Sequence, residues 1–314
     1  MKPICTADTL MTKRIITLSA ETNVLEGLDY LLAHQISGAP VVDSQNRYLG
    51  VFSEKCCLSL LTLVGALACE ESVPAPDGPN VRSFMARRLH TLDPSADVIA
   101  GIGVLLKHDI SGAPVLDREE KYLGVFTEKT SMDVLLGALY DQLPTTSILA
   151  FLNRDVDRLI PSDTSLWSAA GLFVSARYRR LIVFEEGRVA GLVARRDLLR
   201  ASRPLLRKIW SQLKSDHAEL PVSHWDDSQI SLHCESESVC HFMDVNAQVI
   251  GPETDLFTIA QIFRNTNYRR LPVIERGTLV GLVNRKDVLH AAYDIIGQPQ
   301  RNVTDSGPLR LSAL

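Results

Sequence analysis

The sequence predicts an α/β (α+β) fold assembled from four copies of one β-α-β-β-α unit. Three observations predict it. The octet ISGAPVVD at residues 36–43 returns as ISGAPVLD at residues 110–117, 74 residues later. The pentapeptide YLGVF follows each octet at the same distance, from Tyr48 and again from Tyr122. In the second half, YRRLIVFEEGRVAGLVARRDLL from Tyr178 and YRRLPVIERGTLVGLVNRKDVL from Tyr268 align without a gap, 90 residues apart. Repeats of this size are a fold-level signal.

Each unit opens on a short strand, near RIITL in the first copy and RLHTL in the second. A helix follows, because Val24, Leu25, Leu28, Leu31 and Leu32 fall at helical spacing and reappear as Val98, Ile99, Ile102, Leu105 and Leu106. The third copy keeps the stripe as Leu166, Trp167, Ala170, Phe173 and Val174. The fourth keeps Leu256, Phe257, Ala260 and Phe263, and places Arg264 at the last position. Two β-rich runs come next, APVV and YLGVF, separated by the polar turn DSQNR; the second copy reads APVL, DREEK, YLGVF. A closing helix begins at SEK or TEK. Met11 and Met85, also 74 apart, precede the first strands and read as packing residues.

The units occupy residues 4–69, 80–143, 145–204 and 236–296. Residues 205–235 form a linker or insertion, and 297–314 a tail. The Pro- and Gly-punctuated link EESVPAPDGPN joins the first two units and Pro144 closes the second, which predicts two halves that fold as separate modules.

Composition bounds the function. The 314 residues are 46% hydrophobic and 22% charged, as in ordinary globular proteins, so the chain is expected to fold compactly. No apolar run approaches the ~18 residues of a membrane span, and the N-terminal residues lack the apolar core of a secretory signal, so no membrane partner and a cytoplasmic location are expected. A net charge of −4 supplies no global field for nucleic acid. Six scattered cysteines without a CxxC suit free thiols.

The pattern hSGxPVhD, a turn, then Gly-h-h-[Ser/Thr]-x-x-Asp resembles the CBS domain, and four copies in register leave no room for a separate enzyme domain. The resemblance implies repeats that pair through their strands into Bateman modules, two of which assemble into a disc, as in the γ subunit of AMP-activated protein kinase. It also implies a nucleotide whose ribose hydroxyls are held by the closing Asp and whose phosphate faces the preceding Ser or Thr. Asp197 and Asp287 stand at the Asp position of units three and four, with Ala194 and Asn284 at the hydroxyl position. Units one and two have Ser53 and Thr127 but Cys56 and Thr130 in place of Asp. One carboxylate matches two vicinal hydroxyls, and a helix N-terminus suits an anion.

Charge favours the second half. Arg179, Arg180, Arg269 and Arg270 precede the second strand there, and Arg195, Arg196, Arg285 and Lys286 mark the helix corner. The equivalent corners of the first half, Glu54-Lys55 and Glu128-Lys129, nearly cancel. The expected function is a noncatalytic sensor, not an enzyme, with no required cofactor. It binds AMP, ADP or ATP as a regulatory ligand in the cleft between repeats three and four, with Tyr178 and Tyr268 beside the arginines. Ser53 and Thr127 are weaker candidates. A homodimer or an intramolecular pair of modules, and an effector protein that reads the liganded arrangement, are the expected partners. The alternatives are a ligand-free scaffold for oligomerisation or docking, and nucleic-acid binding through the arginines.

Other clusters have structural readings. His233, Cys234, Cys240 and His241 match no common zinc spacing, so no metal is expected. His34 and His108 end equivalent helices, where a cation suits the dipole. Cys56 and Cys57 read as buried packing residues.

Overall fold

The structure is a computed structural model that describes residues 5–70, 78–139, 146–176, 178–215 and 238–296. Repeat one contains α1 (Ala7–Leu10), β1 (Leu18–Ser19), α2 (Val24–Ala33), β2 (Gly38–Val42), β3 (Tyr48–Ser53) and α3 (Glu54–Glu70). Repeat two contains α4 (Val98–Lys107), β4 (Gly112–Leu116), β5 (Tyr122–Thr127) and α5 (Glu128–Leu139). Repeat three has β6 (Leu159–Pro161), α6 (Leu166–Ser175), β7 (Arg180–Glu185), β8 (Arg188–Ala194) and α7 (Arg195–Ser215). Repeat four has α8 (Leu256–Asn265), β9 (Arg270–Glu275), β10 (Thr278–Asn284) and α9 (Arg285–Ile296).

The first helix of every repeat starts the same way. Asn23, Asp97, Ser165 and Asp255 are N-caps whose side chains accept from Leu25, Ile99, Ser168 and Thr258 N–H groups. Capping of this kind contributes about 1 kcal/mol per helix. The predicted stripes then face inward: Val24, Leu28 and Leu31 are buried, as are Val98, Ile102 and Leu105.

The opening strand forms in repeats one and three, where β1 and β6 run parallel to β2 and β7. In repeats two and four it shrinks to single bridges, Leu92 to Val115 and Ile250 to Val273. Proline explains the difference. The ladder is extended by Ala20 N–H to the Val42 carbonyl in repeat one and by Ser162 N–H to the Phe184 carbonyl in repeat three. Pro94 and Pro252 stand at the equivalent positions and have no N–H to donate.

The repeats close a ring in which sheet contacts and helix contacts alternate. Repeats one and four meet through their sheets, with Thr12 bridging Leu282 and Val51 bridging Asp244; repeats two and three do the same through Ala86 with Leu192 and Val125 with Asn153. Helices join the other two sides: α3 packs on α6 and α7, and α5 on α8 and α9. Two pairs form, but between other partners than chain order suggests. Repeats one and two lie diagonally opposite, as do three and four, so the expectation of two separately folding halves is corrected.

Strand glycines set this pairing. The opening segment of each repeat crosses its partner's sheet where the partner has Gly: Met11 on Gly281, Met85 on Gly191, Met243 on Gly50 and Leu152 on Gly124. A Cβ on Gly50 would stand 2.8 Å from the Asp244 carbonyl oxygen, and one on Gly191 2.9 Å from that of Ala86. Only a residue without a side chain admits backbone so close. The repeated methionines are thus inter-repeat contacts.

Two main cores result, one shared by repeats one and three and the other by repeats two and four. α7 runs past the expected boundary at residue 204 to Ser215, and its Leu206 and Ile209 are wholly buried in the first core. Each such side chain contributes about 1.5–3 kcal/mol. Pro204 sits within this helix.

Candidate functional site: a cationic cavity at the centre of the ring

The closing helices α3, α5, α7 and α9 all begin near the middle of the ring, because each follows the hairpin whose sheet faces a partner. Their starts and the preceding strands line a cavity of about 420 Å³. All eight cations singled out in the sequence line it: Arg179, Arg180, Arg195 and Arg196 from repeat three, and Arg269, Arg270, Arg285 and Lys286 from repeat four. Asp197, Asp287 and Asn284 share that lining. Repeats three and four do face each other here, with Arg179 Nη2 donating to the Asn267 carbonyl at 3.2 Å. The cavity also takes walls from repeats one and two, so it is a four-repeat junction, not a two-repeat cleft.

Not every cation is equally available. Arg195 and Arg285 are buried and donate to the Phe173 and Phe263 carbonyls, their guanidiniums over the same phenyl rings at 5.9 and 5.4 Å. They tie α7 and α9 to α6 and α8. Arg270 donates from Nε to Asn284 Oδ1 at 3.0 Å and from Nη1 to the Gly38 carbonyl at 2.8 Å. Arg180 reaches the Gly112 carbonyl, the equivalent group of repeat two. Lys286 pairs with Asp109. Burial, and after it repulsion from Arg269, pushes Arg179 well below the ordinary guanidinium range, and Arg180 and Arg270 down to about 10. The cluster is buried and under mutual repulsion.

The residue at the Asp position caps the closing helix in every repeat. Asp287 Oδ2 accepts from Asn284 N and Nδ2, both at 2.8 Å, and Asp197 Oδ2 accepts from Ala194 N at 2.9 Å. Thr130 Oγ1 accepts from Thr127 N at 2.9 Å, and Cys56 Sγ lies 3.2 Å from Ser53 Oγ. The Oδ1 atoms of both aspartates carry no hydrogen bond among the described residues.

A second cleft, about 520 Å³, opens between repeats one and four. Ala39, Pro40, Val51 and Pro272 give it apolar walls; Ser53 and Tyr268 also line it. Arg179, Arg195, Arg269 and Arg270 are common to this cleft and the central cavity. Tyr178 is placed elsewhere, bonded to Asp155 with the Arg158 guanidinium over its ring at 5.0 Å. Burial and that bond push its hydroxyl up to about 12. Thr127 is spent on the α5 cap and lines neither opening.

Glu54 and Glu128 were missed as site residues. Both are buried carboxylates on the cavity wall, Glu54 at 3.3 Å from Arg196 and Glu128 at 3.3 Å from Arg269. Summing Glu54 with Lys55 hid them, since Lys55 lines the side cleft and does not reach the cavity. Their equivalence at the first position of α3 and α5 was the available signal.

The remaining clusters behave structurally. Burial pushes the Cys56 and Cys57 thiols up, against reactivity. His34 and His108 are C-caps, the first tilted against the Tyr30 ring and the second stacked on His90. His233 and Cys234 lie outside the described residues, and no group of three or more metal-ligating side chains occurs among those described. No described helix is long and apolar enough to cross a membrane.

These features define a class: a single chain of four α/β repeats that pair within the chain around a charged centre. Residues 7–62, 81–130, 152–204 and 239–294 match the family model of the CBS domain, and the chain belongs to that family. The uncharacterised protein MJ1225 of Methanocaldococcus jannaschii is 23% identical, across 88% of this chain and 95% of its own. Its crystal structure, described as that of a proposed archaeal homologue of g-AMPK, covers 91% of this chain and 99% of that one at 20% identity and a TM-score of 0.38. The chloroplastic CBS domain-containing protein CBSX2 of Arabidopsis thaliana is 26% identical over 71% of this chain and 68% of its own. A crystal structure of CBSX2 in complex with AMP covers 41% of this chain and 98% of that one, at 26% identity and a TM-score of 0.36.

Proposed function

We propose that the chain is a noncatalytic regulatory protein that binds an adenine nucleotide, AMP, ADP or ATP. The observation that carries this reading is the arginine wall shared by two openings of different character. Arg179, Arg269 and Arg270 stand between a cleft with apolar and polar walls and a cavity that is almost wholly charged and polar. A nucleotide has the matching polarity, an aromatic base at one end and phosphate at the other. The base fits beside Pro40, Val51 and Tyr268, and the phosphate fits on the guanidiniums, where charge-assisted bonds are strongest. Ser53 supplies a hydroxyl in the same cleft. Asp197 and Asp287 are the ribose acceptors in this reading, through their unengaged Oδ1 atoms. The site thus moves from a cleft of repeats three and four to the meeting of repeats one, three and four. Ligand that touches three repeats favours one arrangement of the ring, which an effector protein reads.

Calorimetric titration of the full chain tests this. AMP, ADP or ATP binds, adenosine binds at least about tenfold more weakly, and Arg270→Ala removes most of the difference. Equal binding of adenosine and nucleotide, or none of either, sinks the reading.

A ligand-free scaffold is the second reading. Its specific support is that Arg196 and Arg269 already have partners in Glu54 and Glu128 of neighbouring repeats, so part of the cationic charge serves to hold the ring. Nucleic-acid binding is disfavoured, because these cations line an internal cavity instead of an exposed face.

A further inference from the structure

We infer that Glu54 and Glu128 set how much negative charge the central cavity accepts, making them specificity determinants that favour a ligand with one phosphate over one with three. The inference rests on the phosphate-binding reading above but concerns residues to which that reading gives no role.

Burial and position come first. Glu128 is 2% exposed and Glu54 7%, and both carboxylates line the cavity in the company of the arginines. They come from equivalent positions of repeats one and two, so the two diagonal partners that supply no arginine each supply one buried acid. The lining holds eight cationic and five acidic side chains, a formal excess of three positive charges. Two of the five acids, Asp197 and Asp287, cap helices, and Asp109 is largely exposed. Glu54 and Glu128 alone are buried with their charge directed at the cluster.

A purely structural role does not require a carboxylate here. Arg196–Glu54 and Arg269–Glu128 cross the helix interfaces, which already rest on broad apolar cores. A buried ion pair is weak support for such an interface compared with apolar packing of the same volume. What the carboxylates do change is the potential in the cavity. Their repulsion on a ligand grows in proportion to its charge, so it falls about twice as heavily on a triphosphate as on a monophosphate. Without them the excess positive charge of the cavity would be larger, and its preference for the more highly charged ligand stronger.

The test measures dissociation constants of AMP and ATP, and of inorganic phosphate and tripolyphosphate as a series without a base. The proteins are the full-length wild type, Glu54→Gln, Glu128→Gln and Glu128→Asp. Each Gln variant is expected to shift preference toward the triphosphate member of both series by at least about tenfold, while Glu128→Asp keeps the wild-type ratio. An equal gain for mono- and triphosphate, or an unchanged ratio, overturns the inference. Should Glu128→Gln fail to fold in a thermal melt, Glu54→Gln carries the same test, since the Glu54 side chain is the less buried of the two, 10% exposed against 2%. If the base-free series shifts while nucleotides bind no better than bare phosphates, the charge determinant stands and the nucleotide reading falls. If wild type and variants bind neither series, both fall.

Discussion

Arg270 of repeat four donates to the carbonyl of Gly38 in repeat one at 2.8 Å, although 232 residues separate them. The bond joins the last repeat to the first, and Arg180 with Gly112 is its counterpart on the opposite side of the ring. Both lie at sheet-paired interfaces. Neither lies within a half of the chain.

A fragment ending near Pro144 therefore lacks the partner of each of its sheets. It contains repeats one and two, which are diagonal, and it exposes the faces that repeats three and four cover. Its expected behaviour is aggregation or an undispersed heteronuclear NMR spectrum, with order regained when residues 145–314 are co-expressed. A monomeric fragment with a sharp, dispersed spectrum would contradict the ring.

The crossing glycines give a local test. In Gly191→Ala the added Cβ meets the Ala86 carbonyl, a backbone atom that cannot rotate away. The expected loss is about 1–3 kcal/mol, the range for overpacking a close contact. Gly171→Ala is the control, because nothing lies within 4 Å of its added Cβ. Denaturant unfolding of the two variants should separate them clearly, and equal stabilities would argue against the crossing.

Burial of the arginine cluster, and after it the repulsion within it, predicts an anion effect. The folded-state pKa values of Arg180 and Arg270 are lowered to about 10, so the folded protein holds these protons less tightly than the unfolded chain does. The resulting penalty is fully present at neutral pH and is relieved only as pH rises through about 10. Phosphate or sulfate at pH 7 should raise Tm above chloride at equal ionic strength. Arg180→Met should raise Tm in chloride by about 2 °C or more, the shift for about 1 kcal/mol in a chain of this size. A lower Tm for Arg180→Met would show that its bond to the Gly112 carbonyl outweighs the crowding.

Asp287 carries two separable roles. Its Oδ2 caps α9, so Asp287→Ala should lose about 0.5–2 kcal/mol of stability whether or not ligand binds. If Oδ1 also takes a ribose hydroxyl, AMP affinity falls at least about tenfold. The control is 2′-deoxy-AMP, which should bind wild type poorly yet lose little more in Asp287→Ala, since both changes remove one contact. Fully additive losses would leave Asp287 as a cap alone.

Much of this architecture was legible in the sequence. ISGAPVVD and ISGAPVLD run into β2 and β4, the apolar stripes became the buried faces of α2 and α4, and the eight cations converge. Local chemistry governs all of these, and equivalent residues repeat it. The pairing was not legible, because four similar sheets can combine in several ways with the same local pattern. What selects among them is contact between distant residues, Met11 on Gly281 and Met85 on Gly191. The orientation of Glu54 against Lys55 depends on the same placement, since only the ring shows which side of α3 faces the centre. Tyr178 and Tyr268 look identical in sequence but diverge because Asp155 and Arg158 capture the first.

The ring also bears on how the protein is made. A ribosome delivers repeat one first, yet its sheet partner is the last repeat to appear. At ~5–20 residues per second, that wait is on the order of tens of seconds. Until then the strands of repeat one offer an uncovered apolar face, and premature association with the sheet of repeat two is the natural error. Chaperone dependence during synthesis, and slow refolding from denaturant dominated by closure of repeat four onto repeat one, follow from the order in which the pieces arrive.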